Sequence, residues 1–237
     1  MKAKIRPPFF ETSVKNYIYG DAVLEYAQAA DEAAIEFDVD VLFVPPYTEI
    51  RRVRENTQRL IVLAPYMDAL RPGRGIADVL PEALKAAGAQ GVVLNHSERP
   101  LTLSALRKTI DRANELDLLT FVCADTLSEA QAIACLHPDI INPEPTELIG
   151  SRNVSDLRFV QDVLKAVKAI DPLILVEQAA GISTAGQVYD FILAGSDAVG
   201  AASGILTAPD PTGLLREMVR TVAIARDELQ KDHTWAK

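Results

Sequence analysis

The feature of this sequence that most constrains its fold is a repeat of short apolar runs, each followed by a helical pattern. The runs recur roughly every 25 to 35 residues, the length of a strand with its crossover helix. They are uniformly apolar rather than alternating, as in strands that are buried on both faces of a parallel sheet. The first predicted strand begins at Phe9, and the others are residues 41–44, 60–64, 92–94, 119–123, 140–141, 173–176 and 198–199.

Between these runs, apolar residues recur at spacings of three and four, which predicts amphipathic helices. The first helix begins at about Asp21. The third covers residues 76–87, or begins near Pro81 because proline does not fit a helix interior. Thr184 with Gln187 three residues later predicts a capping box at the start of the seventh helix. The tail after about Leu229 is expected to fray.

Eight strand and helix units, with no linker or change of composition between them, predict one domain over residues 1–237. The predicted fold is α/β, a (β/α)8 or TIM barrel. A doubly wound open sheet is the competing fold. The barrel is favoured because the unit count matches and because no glycine-rich dinucleotide-binding turn follows the first strand.

Composition and charge exclude several classes of protein. The net charge of -9 argues against a general nucleic-acid binder, which needs a basic face for the phosphates. No run approaches the ~18 apolar residues of a membrane span, and no signal-peptide pattern opens the sequence. Cys123 and Cys135 do not form a Cys-x-x-Cys pair, and both lie in apolar or alanine-rich surroundings. We therefore expect two buried thiols in a cytoplasmic protein that binds neither membrane nor nucleic acid.

The carboxyl ends of the predicted strands carry a set of polar and small residues where a barrel has its active site. Among them, Glu144 lies between two prolines that restrict its backbone. The small residues after the seventh and eighth strands would present backbone N–H groups, which bind phosphate readily. The full set is Ser13, Lys15, Pro65, Tyr66, Asn95, His96, Glu98, Asp125, Glu144, Ala179, Ala180, Gly181, Ser183, Ala202, Ser203 and Gly204.

Each of these residues also has a purely structural interpretation. His96 alone could be a satisfied structural histidine, Lys15 a surface lysine, and Glu144 an exposed loop acid. Their joint occurrence favours a sugar-phosphate enzyme. The three histidines are far apart in the sequence and no carboxylate spacing completes a ligand set, so we predict no metal and no cofactor. The chemistry left is proton transfer by a base and an electrophile.

Four motifs occur in a fixed order along the chain: Leu-Asn-His-Ser-Glu (94–98), Glu-Pro-Thr-Glu-Leu-Ile-Gly (144–150), Ala-Gly-Ile-Ser-Thr (180–184) and Ala-Ser-Gly-Ile (202–205). Together they resemble the triosephosphate isomerase family, in the short form found in archaea and some bacteria. The resemblance extends from Phe9 to about Val222. It implies a homodimer or homotetramer that interconverts glyceraldehyde 3-phosphate and dihydroxyacetone phosphate.

The resemblance also implies a role for each matching residue. Glu144 would be the base, His96 the neutral electrophile and Lys15 the cation that stabilises phosphate and enediolate, as is general in the family. Glu98 would organise these groups, and residues 147–153 would form a lid that excludes water. The implied substrate and phosphate ligands are Ser13, Gly150, Ser151, Gly181, Ser183, Ser203 and Gly204.

The chain departs from the family's pattern at several places. Ser13 stands where the family usually has asparagine, and Pro65 with Tyr66 replaces a Gln-His or Gln-Asn pair. Arg152 ends the lid triplet that usually reads Gly-Thr-Gly, and Ala179 begins a triplet that usually reads Gly-Ala-Gly. These departures leave two alternatives open: an isomerase of a related ketose phosphate such as a tetrulose phosphate, and a non-catalytic sugar-phosphate-binding barrel.

Overall fold

A computed structural model describes the backbone of residues 1–151 and 153–235 and the side chains of residues 1–151 and 153–231. Eight parallel strands close into a barrel in sequence order, with the first strand paired to the last. The predicted TIM barrel is confirmed, and the open sheet is excluded. The strands are β1 (Phe9–Ser13), β2 (Val41–Val44), β3 (Ile61–Ala64), β4 (Gly91–Leu94), β5 (Leu119–Ala124), β6 (Ile140–Pro143), β7 (Leu175–Gln178) and β8 (Ala198–Gly200).

Helices alternate with the strands and cover the outside of the barrel. They are α1 (Asp21–Phe37), α2 (Ile50–Asn56), α3 (Pro81–Ala87), α4 (Leu103–Glu115), α5 (Leu127–Ala134), α6 (Leu157–Ile170), α7 (Ala185–Leu193), α8 (Ser203–Leu206) and α9 (Pro211–Trp235). Short 3-10 helices, Tyr47–Glu49 and Thr146–Leu148, follow β2 and β6. The predicted capping box of Thr184 and Gln187 is present at the start of α7. No helix within the described ranges is both long and apolar enough to cross a membrane.

One strand differs from its predicted position, and one helix agrees with the later of its two predicted starts. The predicted strand at 173–176 is displaced, because β7 begins at Leu175 and ends with the polar residues Glu177 and Gln178. Leu173 is 84% exposed and lies in the turn before the strand, so its apolar character gave a false strand start. The third helix begins at Pro81 rather than Ile76, in agreement with the second of the two predicted starts.

The prediction of two buried cysteines is half wrong. Cys123 on β5 is buried, but Cys135 is exposed. Cys135 forms the C-terminal cap of α5, where the chain turns away from the core, and its alanine-rich surroundings therefore do not cover it. Helix α9 continues past Leu229 to Trp235, while side chains after residue 231 and all of residues 236–237 lie outside the described part of the chain. Fraying of the tail stays a prediction.

Alternation along each strand divides the core into two layers. One set of side chains points outward against the helices and forms the larger apolar cluster, for example Phe10 and Phe43. The other set fills the barrel, with Phe9, Leu42 and Phe121 among its members. At the carboxyl ends of the strands, this apolar filling meets the polar side chains that form the site, and Phe121 lines the cavity there.

Candidate active site

A cavity of about 480 Å³ opens at the carboxyl ends of the strands. It is the place where the fold brings the predicted site residues together. Of the predicted set, those that line the cavity are Ser13, Lys15, His96, Glu98, Glu144, Gly150, Gly181, Ser203 and Gly204. Pro65, Tyr66, Ala179 and Ala202 of the predicted set line it as well. Thirteen predicted residues from the ends of six strands thus meet in one space, although they are spread over most of the sequence.

Ser151 and Ser183 are not part of the cavity wall. The hydroxyl of Ser151 donates to the carbonyl of Leu148 at 2.9 Å. The backbone N–H of Ser183 donates to Oε1 of Gln187 at 2.8 Å and is therefore already occupied. Both stay predictions as phosphate ligands. Arg152, which ends the lid triplet, lies outside the described residues.

His96 is held as a neutral imidazole. The backbone N–H of Glu98 donates to its Nδ1 at 3.1 Å, so Nδ1 carries no proton and the single proton resides on Nε2. Burial lowers the pKa of His96, the Lys15 cation lowers it further, and Glu98 works in the opposite direction. Nε2 lies 3.5 Å from Oε2 of Glu144. The ring therefore presents an N–H donor to the cavity, beside a carboxylate.

Glu144 has the properties of a base matched to neutral pH. Its backbone follows the last residue of β6, and its N–H donates to the carbonyl of Ala124 on β5 at 2.7 Å, which fixes the start of the loop. Burial raises the pKa of Glu144 to about 7, although nearby Lys15 lowers it and Glu98 raises it slightly. A carboxylate with such a pKa accepts a proton more readily than an exposed glutamate and is partly ionised at neutral pH.

Lys15 lies in a strained backbone position at the edge of the cavity. Its φ is 43°, in the left-handed region that non-glycine residues seldom occupy. Its N–H donates to the hydroxyl of Ser13 at 3.3 Å, and Nζ lies 3.4 Å from Oε1 of Glu98. The strain is concentrated at a residue that aims a cation at the cavity, which is where backbone strain is commonly found in active sites.

The loops after β7 and β8 pack so closely that two glycines are required. A Cβ on Gly181 would overlap the carbonyl of Asn153, and its φ of 76° also favours glycine. A Cβ on Gly204 would overlap the carbonyl of Ile182. Ser203 stands beside Gly204 at the start of α8. Backbone of the lid segment and of both loops therefore meets on one side of the cavity, as a phosphate cradle requires.

Asn95, an unassigned residue of the predicted strand-end set, supports the loop that carries His96. It is buried with φ of 58°. Its amide donates to the carbonyl of Cys123 at 3.0 Å and to Glu129 at 2.9 Å, and its Oδ1 accepts the N–H of Leu101 at 2.9 Å. The only sequence signal for this role was the position of Asn95 directly before His96. It orients the loop and does not line the cavity.

The region after β3, where Pro65 and Tyr66 depart from the family's pattern, forms another wall of the cavity. The hydroxyl of Tyr66 donates to Asp68 at 2.7 Å, and the guanidinium of Arg99 lies 4.7 Å from the centre of the Tyr66 ring. Sequence reasoning missed Arg99 as a cavity residue. Its position immediately after Glu98 was the only signal, because the stacking depends on a loop from another strand.

Within the part of the chain that the structure describes, no group of three or more histidine, cysteine, aspartate and glutamate side chains is placed to hold a metal ion. The arrangement that is present is a carboxylate, a neutral imidazole and an ammonium group around one cavity. These groups can remove a proton from carbon, stabilise an oxyanion and return the proton, which is acid–base chemistry.

Comparisons with known proteins identify relatives over most of the chain. The family model described as triosephosphate isomerase matches residues 8–188. The triosephosphate isomerase of Methanobacterium bryantii is 33% identical over 220 residues, which cover 91% of this chain and 97% of that protein. The triosephosphate isomerase of Methanoculleus marisnigri is 34% identical to this chain, with 90% of this chain and 97% of that protein covered. That of Methanocaldococcus jannaschii is 30% identical, with 87% of this chain and 95% of that protein covered.

Proposed function

This chain belongs to the triosephosphate isomerase family, and from that premise we propose that it interconverts glyceraldehyde 3-phosphate and dihydroxyacetone phosphate. The observation that carries the proposal is the pair of Glu144 and neutral His96, 3.5 Å apart in the same cavity as Lys15. A barrel that only bound sugar phosphates would not require a buried carboxylate with a pKa of about 7 beside a neutral imidazole donor.

In this proposal Glu144 removes a proton from the carbon next to the carbonyl group. The electron pair of the broken C–H bond moves into the carbon skeleton and leaves negative charge on the carbonyl oxygen, which gives an enediolate. The Nε2–H of His96 donates to the substrate oxygens and stabilises that charge. The hydroxyl proton of the enediolate moves from one oxygen to the other by way of Nε2 of His96, and Glu144 returns its proton to the neighbouring carbon. Aldose and ketose are thereby exchanged without any external oxidant or reductant.

Lys15 and the glycine-rich loops bind the rest of the substrate. The ammonium group of Lys15 offsets the negative charge of the phosphate and of the enediolate. The backbone at Gly181, Ser203 and Gly204 binds the phosphate, and Ser13 lies beside Lys15 as a further polar contact. Glu98 holds Lys15 through the 3.4 Å ion pair, which is partly exposed and serves to orient rather than to stabilise the fold.

Residues 147–153 act as a lid in this proposal. Gly150 has φ of 73°, yet a Cβ on it would meet nothing within 4 Å, so glycine is needed there for its backbone conformation and not for space. Movement about such a position brings Gly150 and Ser151 to the phosphate. Closure excludes water from the enediolate and completes the site, with Ser183 at its edge.

A panel assay with purified protein tests the proposed reaction. We expect turnover of both triose phosphates in the two directions, and inhibition by inorganic phosphate that competes with substrate. If the protein converts a four-carbon ketose phosphate but neither triose phosphate, the second candidate substrate is the correct one. Phosphate binding without turnover of any of them would contradict catalysis and leave a sugar-phosphate-binding barrel.

We also propose that the chain forms a homodimer or homotetramer. Tyr19 after β1 and Ile76 after β3 are 85% and 95% exposed, and both lie in loops at the same end of the barrel as the cavity. Large apolar side chains at such exposure are typical of surfaces that another subunit covers. Light scattering on the purified chain should give a mass of two or four subunits, and a monomer at micromolar concentration would contradict the proposal.

A further inference from the structure

The floor of the cavity is acidic, which the proposed reaction does not explain. Below His96 and Glu144, the side chains of Glu11, Cys123 and Asn142 reach the cavity from inside the barrel. The carboxyl group of Glu11 is nearly buried, and no hydrogen-bond partner for it exists among the described side chains and backbone groups. An unpartnered buried acid is costly, so it calls for a functional reason.

Glu11 is one of two acids that share a small space beside β8. A Cβ on Gly200 would overlap Oε1 of Glu177 and would lie 2.6 Å from Oε2 of Glu11. The absence of a side chain at Gly200 is therefore what admits both carboxyl groups. Glu177 is fully buried with both oxygens unpartnered, and it does not line the cavity, whereas Glu11 does. Glu177 is therefore the inner acid of the pair, and Glu11 is the acid that faces the cavity.

Two carboxyl groups this close repel each other when both are ionised, which favours a proton shared by the pair. Burial raises the pKa of Glu11 to about 8, with Glu144 adding to the rise and Lys15 opposing it. Burial, Glu11 and Glu144 raise the pKa of Glu177 as well. The titratable groups around Glu11 are Lys15 in the loop after β1, Tyr26 of α1, Cys123 of β5, Glu144 after β6 and Glu177 of β7.

We propose that Glu11 is a substrate-binding residue whose protonated carboxyl group donates a hydrogen bond to an oxygen at the end of the substrate that lies away from the phosphate. This inference rests on the proposed function. A buried carboxylic acid that stays neutral is an effective hydrogen-bond donor to a substrate oxygen. Glu177 serves as a positioning residue that keeps the proton within the pair.

The position of Glu11 in the barrel indicates that it contacts the end of the substrate away from the phosphate. The phosphate cradle and Lys15 lie at the mouth of the cavity, on the loops after β1, β7 and β8. Glu11 is within β1 and therefore deeper in the barrel. An acid that can ionise is a poor neighbour for a phosphate dianion, whereas its protonated form donates a hydrogen bond to a hydroxyl or carbonyl oxygen. The unpartnered Oδ1 of Asn142, also on the floor, is an acceptor for the hydrogen of such a hydroxyl group.

The dependence of kcat/KM on pH tests the inference. For the unaltered protein we expect kcat/KM with triose phosphate to fall below pH about 7, where Glu144 gains a proton, and above about 8, where Glu11 loses one. Glu11→Gln keeps a donor but cannot ionise, so it should retain the acid limb and lose the alkaline limb. Glu11→Leu removes the donor and should lower kcat/KM about tenfold or more at pH 7.

Two controls separate binding of substrate from a structural role. Glu177→Gln removes the inner acid and leaves Glu11 titratable, so the alkaline limb should persist but move to lower pH. Competitive inhibition by inorganic phosphate, which occupies the other end of the site, should be unchanged in Glu11→Leu. An alkaline limb that survives Glu11→Gln, or that disappears in Glu177→Gln alone, overturns the inference. Absence of triose phosphate turnover in the unaltered protein would instead count against the proposed function.

Discussion

At the scale of single residues, the site depends on two opposite adjustments of protonation. Glu144 is made more basic by burial, and His96 is made less basic by burial and by the Lys15 cation. The backbone N–H of Glu98 donates to Nδ1 of His96 and therefore selects the neutral tautomer with its proton on Nε2. A base and a neutral donor can therefore coexist 3.5 Å apart at neutral pH.

Shortening the base by one methylene tests its placement. In Glu144→Asp the carboxylate withdraws by about 1 Å from the substrate carbon, and we expect kcat to fall by roughly two orders of magnitude or more. KM should change much less, because the proposed phosphate ligands, Lys15 and the loop backbones, are unaltered. Steady-state kinetics on the variant measure both constants. A kcat within threefold of the unaltered protein would show that another group is the base.

Sequence reasoning reached most of these residues because they follow strand ends. It missed Glu11, which lies in the middle of strand β1. Nothing in the local sequence indicates that this acid lies close to Glu177 on another strand of the barrel. The proximity of Glu11 to Glu177 depends on Gly200, which lies far from both in the sequence. The neutrality of His96 came only from resemblance, because a backbone hydrogen bond to Nδ1 depends on loop geometry.

At the scale of elements, strand order and most boundaries were predictable, because apolar runs and caps are local signals. The misplaced start of β7 has a physical cause: Glu177 and Gln178 are polar but buried, so hydropathy placed the strand two residues early. Helix α8 (Ser203–Leu206) was not predicted either, since a single turn has no periodicity to detect.

A buried carboxylate on α1 organises the chain before β3. Asp31 accepts the backbone N–H groups of Gln58, Arg59 and Leu60 at 2.9, 2.7 and 3.1 Å. We expect Asp31→Ala to lower the free energy of unfolding by about 3 kcal/mol, because three backbone donors, of which that of Leu60 is buried, lose a charged acceptor. The neighbouring exposed Glu32→Ala is the matched control and should change it by less than about 0.5 kcal/mol. Urea unfolding of both variants gives the comparison, and equal losses would refute the assigned role.

At the scale of the whole molecule, the barrel encloses acids that it must keep largely protonated. The pKa of Glu11 is raised from 4.5 to about 8, and that of Glu177 is raised as well. The folded state therefore binds more protons than the unfolded chain between these values, and its stability falls as pH rises through them. Each retained proton contributes a slope of about 1.4 kcal/mol per pH unit. His96, whose pKa is lowered from 6.5, opposes this trend only at lower pH.

Removal of the inner acid should reduce that dependence on pH. We expect Glu177→Gln to lose less stability than the unaltered protein between pH 6.5 and 8, and to be the more stable of the two at pH 8. Chemical unfolding at both pH values measures the difference. The expectation fails if the two proteins lose stability in parallel over this range, since the buried pair would then not be the source of the dependence.

The central claim is that this barrel moves a proton between adjacent carbons of a triose phosphate. The most direct measurement is isomerisation in deuterium oxide, with the product analysed by NMR or mass spectrometry. Because the proton on Glu144 exchanges with solvent while the enediolate exists, the account predicts deuterium bonded to carbon in the product. Product that forms at the same rate with only hydrogen at that carbon, or no product at all, would contradict it.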